Sequence, residues 1–335
     1  MKTLPKATVL VGIATILPST LLAQWAPYPT RGVPKTATGE PDLNGPAPRT
    51  ADGHPDFSGI WQNGGGGGGG RGGAGGAAAG GQRGAGQRGG DAAGAGGPAR
   101  GANAAPPAGG AAGRGGNAGG GRGGNPNPNN LPPGVPATPG VIPNASFANV
   151  GQGFPGGLPF QEWAAALQKK RSDDNSKDNP DAHCLPMGFM QFHTHSQPRK
   201  IVQTPGLILI VYEANSGLRQ IYTDGRPLPG KDAEPWWYGY SVGKWEGDTL
   251  VVETTGFIDN MWLDVRGSPM TSEAKVTERF RRPNFGNLQI EITVDDPKAY
   301  TRPWTVKLDQ RIYPDTELIE FICQERDATH YVGTQ

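Results

Sequence analysis

From residue 288 to 295 the chain alternates strictly, with Leu288, Ile290, Ile292 and Val294 on one side and Gln289, Glu291 and Thr293 on the other. A period of two predicts a strand with one wet face. Similar runs stand at 200–203, 207–213, 218–224, 275–282, 304–309 and 317–324. Pro205-Gly206, Asn215-Ser216-Gly217 and Pro283-Asn284-Phe285-Gly286-Asn287 break them with turn residues. The register is clearest at 238–257, where two β-prone runs, 238–245 and 249–257, flank Glu246-Gly247-Asp248 and predict a hairpin. Residues 57–61 supply one more strand ahead of a long glycine-rich stretch. The one helix expected is 159–168, with Phe160, Trp163, Ala164 and Leu167 on a single face.

Roughly ten short strands with tight turns favour a barrel or sandwich over a parallel βαβ architecture. Closing the sheet also removes exposed edges. The expected fold is therefore mainly β, an antiparallel calycin-like barrel with a β-sandwich as the alternative, carrying one short helix and a long disordered insertion. Residues 55–63 hold the first strand, 64–153 the insertion and 154–335 the rest of the domain. The insertion rests on composition, because most of the 55 glycines lie between 64 and 124 and such a segment has little to bury. A long loop is tolerated because closure entropy grows only logarithmically with length.

Charge adds little at the level of the whole chain, with 31 Lys+Arg against 30 Asp+Glu. Arg71, Arg88, Arg114 and Arg122 each precede Gly-Gly, but no aromatic residue interleaves them. Bases would have no stacking platform, so nucleic acid is not an expected partner. At the start, Lys2 and Lys6 precede an apolar run from 7 to 22 that ends at Ala23. This predicts a signal peptide over 1–23, an extended segment over 24–54, and a secreted or periplasmic protein with no membrane span after cleavage. Cys184 and Cys323 are the only two cysteines. In an oxidising compartment they are expected to form a disulfide.

Several stretches carry a family resemblance: Cys184-Leu185-Pro186-Met187-Gly188, Gln203-Thr204-Pro205-Gly206 and Arg219-Gln220-Ile221-Tyr222-Thr223-Asp224-Gly225-Arg226-Pro227. They continue with 241–257, Thr277-Glu278-Arg279-Phe280-Arg281-Arg282 and Asp295-Asp296-Pro297. Together they resemble a group of exported bacterial proteins with no established activity, over most of 180–323 and 57–61. The resemblance implies export and brings no assigned catalytic residue. Gly59-Ile60-Trp61 also resembles the Gly-x-Trp that opens the first strand of lipocalin-like barrels, where the Trp plugs one end.

Candidate chemistry follows from parity. Glu278 aligns with Val276 and Phe280, Glu253 with Val251 and Phe257, and Arg219 with Ile221. Inward ionisable groups need partners. They could orient a ligand, act as acid and base, or form a structural ion pair. Asp224 and Arg226 leave a strand into a Pro-rich loop, as ordinary turn residues or as groups at a barrel mouth. Trp245, Trp262 and Asp264, with Trp236 and Trp237 nearby, suit an aromatic-rimmed cavity for an apolar or sugar-like ligand, or else supply core. His193-Thr194-His195 has a chelating spacing on a strand, but no further ligand stands at a recurrent interval, so the histidines read as exposed loop residues. No metal or cofactor is expected, and neither a nucleophile elbow nor a phosphate loop is present. The leading expectation is a binder of a small, partly apolar ligand lined by Arg219, Glu253 and Glu278, with Arg226, Trp245, Trp262 and Asp264 beside it. Alternatives are an isomerase or hydrolase using Glu278 or Asp224, and a surface interaction module with a glycine-rich tether. Oligomeric state stays open.

Overall fold

The computed structural model describes residues 29–64, 131–319 and 321. The expected signal peptide, residues 65–130 of the insertion, and Cys323 lie outside the described residues. In chain order the elements are β1 (Gly59–Asn63), α1 (Glu162–Asp173), α2 (Phe189–Thr194), β2 (Arg199–Thr204), β3 (Leu207–Tyr212), β4 (Leu218–Tyr222), β5 (Tyr240–Glu246), β6 (Thr249–Thr255), β7 (Met261–Trp262), β8 (Pro269–Met270), β9 (Lys275–Asn284), β10 (Asn287–Asp295) and β11 (Trp304–Ile312).

Nine strands close a barrel in the order β1-β11-β10-β9-β6-β5-β4-β3-β2, and β7 pairs with β8 alone. The alternation seen in the sequence is the reason. Ile201, Ile210, Leu250, Val276, Ile290 and Val306 all point inward and are buried, while the residues between them face out. The central hairpin forms as expected, with β5 on β6 and Glu246 opposite Thr249. Its turn places Gly247 at φ 59, which only glycine adopts at little cost.

Three details depart from expectation. First, β4 and β5 pair in parallel, and only through Ile221 with Ser241 and Tyr222 with Val242. The connection 223–239 is too long for a hairpin and returns the chain in the same direction. This seam also departs from the up-and-down meander of lipocalins. Second, 317–319 form no strand. Third, the stretch with His193 is a short helix rather than a strand or an exposed loop, and all of Phe189, Met190, Gln191, Phe192, His193 and Thr194 are buried.

Both ends of the barrel are closed. Trp61 is fully buried, its indole N–H donates to the Phe57 carbonyl at 2.9 Å, and the Arg282 guanidinium lies 4.8 Å over the ring. α2 fills the opposite end, with Phe189 against Phe257 and Phe192 against Tyr212 and Tyr238. Gly188, the residue before α2, is required there because a Cβ would run into the Trp262 carbonyl oxygen.

The described part of the expected insertion lies against the barrel. β1 covers β11 only at residues 310–312. Beside Lys307 the vacated edge is taken by Asn144 in a parallel bridge, with Ala145 N–H donating to Lys307 O at 3.0 Å. The segment before β1 is held as well, by Phe285 N–H to Gly45 O at 2.8 Å and Gly286 N–H to Leu43 O at 2.7 Å.

Candidate functional site

Inside the barrel, just below α2, lies a polar cluster built from β2, β4, β5, β6 and β9 and the helix. Arg219 of β4 and Glu278 of β9 form a fork, with one bond of 3.0 Å and a second, shorter one through Glu278 Oε2. Arg219 also donates to Ser241 Oγ of β5 at 3.1 Å and to Thr254 Oγ1 of β6 at 3.0 Å. His193 Nε2 stands 3.0 Å from Glu278 Oε1, while its Nδ1 has no partner among the described residues. Arg199 of β2, also buried, donates to the His193 and His195 carbonyls at 2.6 and 3.0 Å. It thereby caps the C-terminus of α2, where carbonyls lack helical partners and a cation is favoured.

Burial by itself would raise the Glu278 carboxyl. The Arg219 charge and the hydrogen bonds from His193 and Arg219 outweigh it and hold the group at about 2. Burial dominates at His193 and pushes its pKa down, so the imidazole is neutral. Burial likewise raises the Tyr212 hydroxyl to about 12 and lowers Arg199 to about 10. The resulting cluster is a carboxylate, two guanidiniums and a neutral imidazole, all sealed from water. A group ionised across the ordinary pH range and hidden from solvent is poorly placed as a general acid, which needs a pKa near the working pH.

Glu253 is not part of this cluster. On β6 the inward residues are Leu250, Val252 and Thr254, so Glu253 faces outward and pairs with Lys275 at 2.5 Å. There it joins a different assembly. Arg226, Val242, Lys244, Trp245, Val251 and Glu253 line a groove of about 660 Å³ on the outer wall, beside the β4–β5 seam. Val242 and Val251 give it an apolar floor. Asp224 forks Arg226 at 2.9 and 2.6 Å, and Arg226 lies 3.8 Å over the Tyr222 ring, so the guanidinium is fixed at the rim. The Trp245 ring stacks on His54 at 4.4 Å.

The remaining candidates lie elsewhere. Trp262 is buried under Arg171, whose guanidinium sits 4.4 Å above it, in a separate cleft of about 430 Å³ between α1 and residues 258–262. Asp264 is buried and accepts from Val150 N–H, Ser268 N–H and Ser268 Oγ at 3.0, 3.0 and 2.8 Å, which fastens loops together. Cys184 is exposed, next to the start of α2. Among the described residues no group of His, Cys, Asp and Glu could hold a metal ion, and no helix is long and apolar enough to cross a membrane.

Parity thus found Arg219 and Glu278 but missed Ser241, Thr254, Tyr212 and Arg199. The first two carried a signal, since each is a polar residue on the inward face of its strand. The molecule is a closed β-barrel with a sealed ionic interior and an open groove in its wall. No family model, curated protein or solved structure matches the chain.

Proposed function

We propose that this chain is an exported β-barrel protein that binds a small, partly apolar ligand in the wall groove rather than in the barrel lumen. One observation carries the reading. Arg226, Trp245 and Glu253, from separate segments of the chain, converge on a single groove with a valine floor. A concave, partly apolar surface with a few fixed polar groups is the usual form of a small-molecule site. Arg226 is held by Asp224, so little side-chain entropy is lost when it meets a ligand. A calycin-like relationship is supported by Trp61, which fills one end of the barrel. Export and a Cys184–Cys323 bridge belong to the same reading.

The test is mass spectrometry of small molecules that co-purify with the mature protein and with Val251→Trp, which fills the groove from an outward position. A compound retained by the natural chain and lost from a folded variant supports the site. The same compounds on both proteins would refute it.

A further inference from the structure

The groove has an unusual wall. Glu246 and Thr249 face each other across the two-residue turn Gly247-Asp248, so they are the hydrogen-bonded pair that closes the hairpin. Alternation along the ladder then directs the N–H and C=O of Lys244 and Val242 to β6, and those of Trp245 away from it. On that far side β4 has already ended. Its last pairs with β5 are at Ser241 and Val242, and the chain turns off at Thr223, whose N–H goes to Gly206 O at 2.9 Å. The Trp245 backbone therefore faces the groove without a partner strand among the described residues.

The charges beside this edge are not balanced. Glu253 is neutralised by Lys275 at 2.5 Å, Glu246 by Arg279 at 2.9 Å, and Arg226 by Asp224 at 2.6 Å. Lys244 lines the groove and is exposed, and no ion pair holds it among the described residues.

We propose that the groove takes an extended peptide segment of a partner protein, which adds alongside β5 and sets an acidic side chain against Lys244. The proposal rests on the groove being a ligand site. Backbone hydrogen bonds to Trp245 give the affinity, as in strand addition to a sheet edge. The apolar floor of Val242 and Val251 takes alternate side chains, and Lys244 selects for charge.

The probe is a fluorescein-labelled Val-Thr-Glu-Thr-Val peptide, whose two valines share a face with the glutamate, followed by anisotropy on the full chain. Methylating its central amide nitrogens is expected to weaken binding by about tenfold, the scale of one or two lost hydrogen bonds. Lys244→Glu should weaken the same probe and bind Val-Thr-Lys-Thr-Val instead. Because Lys244 is exposed, the variant should fold. Equal binding of the methylated probe, or a Lys244→Glu variant indifferent to peptide charge, would overturn the inference. If Val251→Trp loses a co-purifying small molecule while no peptide binds, the peptide falls and the groove stands. If that variant changes nothing either, both fall.

Discussion

Replacing Glu278 by Gln keeps the shape of the side chain and removes its charge. Arg219 then keeps Ser241 and Thr254 as acceptors but loses the one counter-charge it has among the described residues, in a site where both side chains are at most 2% exposed. Leaving one member of a buried ion pair unpaired costs about 3–5 kcal/mol. An independent route gives a similar figure. Holding the carboxyl at about 2, against an ordinary 4.5, corresponds to about 3 kcal/mol of preference for the charged form. With a urea dependence of about 2 kcal/mol per M, the unfolding midpoint should fall by about 1.5 M. The control removes both charges together, as Arg219→Met with Glu278→Leu. Buried pairs replaced by apolar groups are often neutral, so the double variant should be more stable than Glu278→Gln. A shift below about 0.5 M for Glu278→Gln, or a double variant as unstable as the two single changes added, would refute a coupled ion pair at the centre of the barrel.

The same cluster predicts how stability depends on pH. His193 has its folded pKa pushed below the ordinary 6.5, so the unfolded chain binds the proton first and stability is lost as pH falls below that value. Glu278, depressed from 4.5 to about 2, adds a second loss as pH falls through that lower window; urea midpoints from neutral to acid pH should decline, and His193→Gln should flatten the first part. Arg199→Met removes the two donors on the α2 carbonyls, so about 2 kcal/mol of stability should go and amide exchange in α2 should quicken, while retained protection there would argue against the cap.

How much of this was legible depended on whether a residue sat inside a long alternating run. Glu278 and Arg219 did, and their inward placement followed. Glu253 did not yield so simply. Val251 and Val252 put an apolar residue on each face of β6, and alignment with Phe257 points to the face that Val251 and Glu253 share. Phe257 lies beyond the strand, past Gly256 at φ 70, where parity no longer carries. α2 was missed because all six of its residues are buried, so it has no amphipathic period to detect. The parallel seam was invisible because nothing in residues 223–239 specifies where the chain returns. His193 could not be matched to Glu278 by spacing, since the partner comes from a distant strand. Residues 131–153 read as linker by composition, yet Pro143 and Ala145 bond to Lys307 of β11, Phe147 and Ala148 accept from the Val265 and Arg266 N–H groups, and Val150 is buried in the core.

These features together bear on where a ligand can bind. A barrel with Trp61 at one end and α2 at the other has spent its lumen on packing. The Arg219–Glu278–His193 cluster makes that interior costly to reopen, because displacing either member of the ion pair leaves the other charge buried without its partner. The wall is different. Every other junction of the barrel runs through three or more residue pairs, whereas β4 and β5 share two. Past that point the Trp245 backbone N–H and C=O have no partner strand among the described residues. An edge of this kind is a liability in a β protein unless something covers or guards it. Lys244 alone guards it against a second edge, and a lysine repels cationic chains while attracting acidic ones. The weakest closure of the sheet thus coincides with Lys244, a groove cation that has no ion pair among the described residues, and that coincidence favours recognition at the wall over chemistry in the lumen.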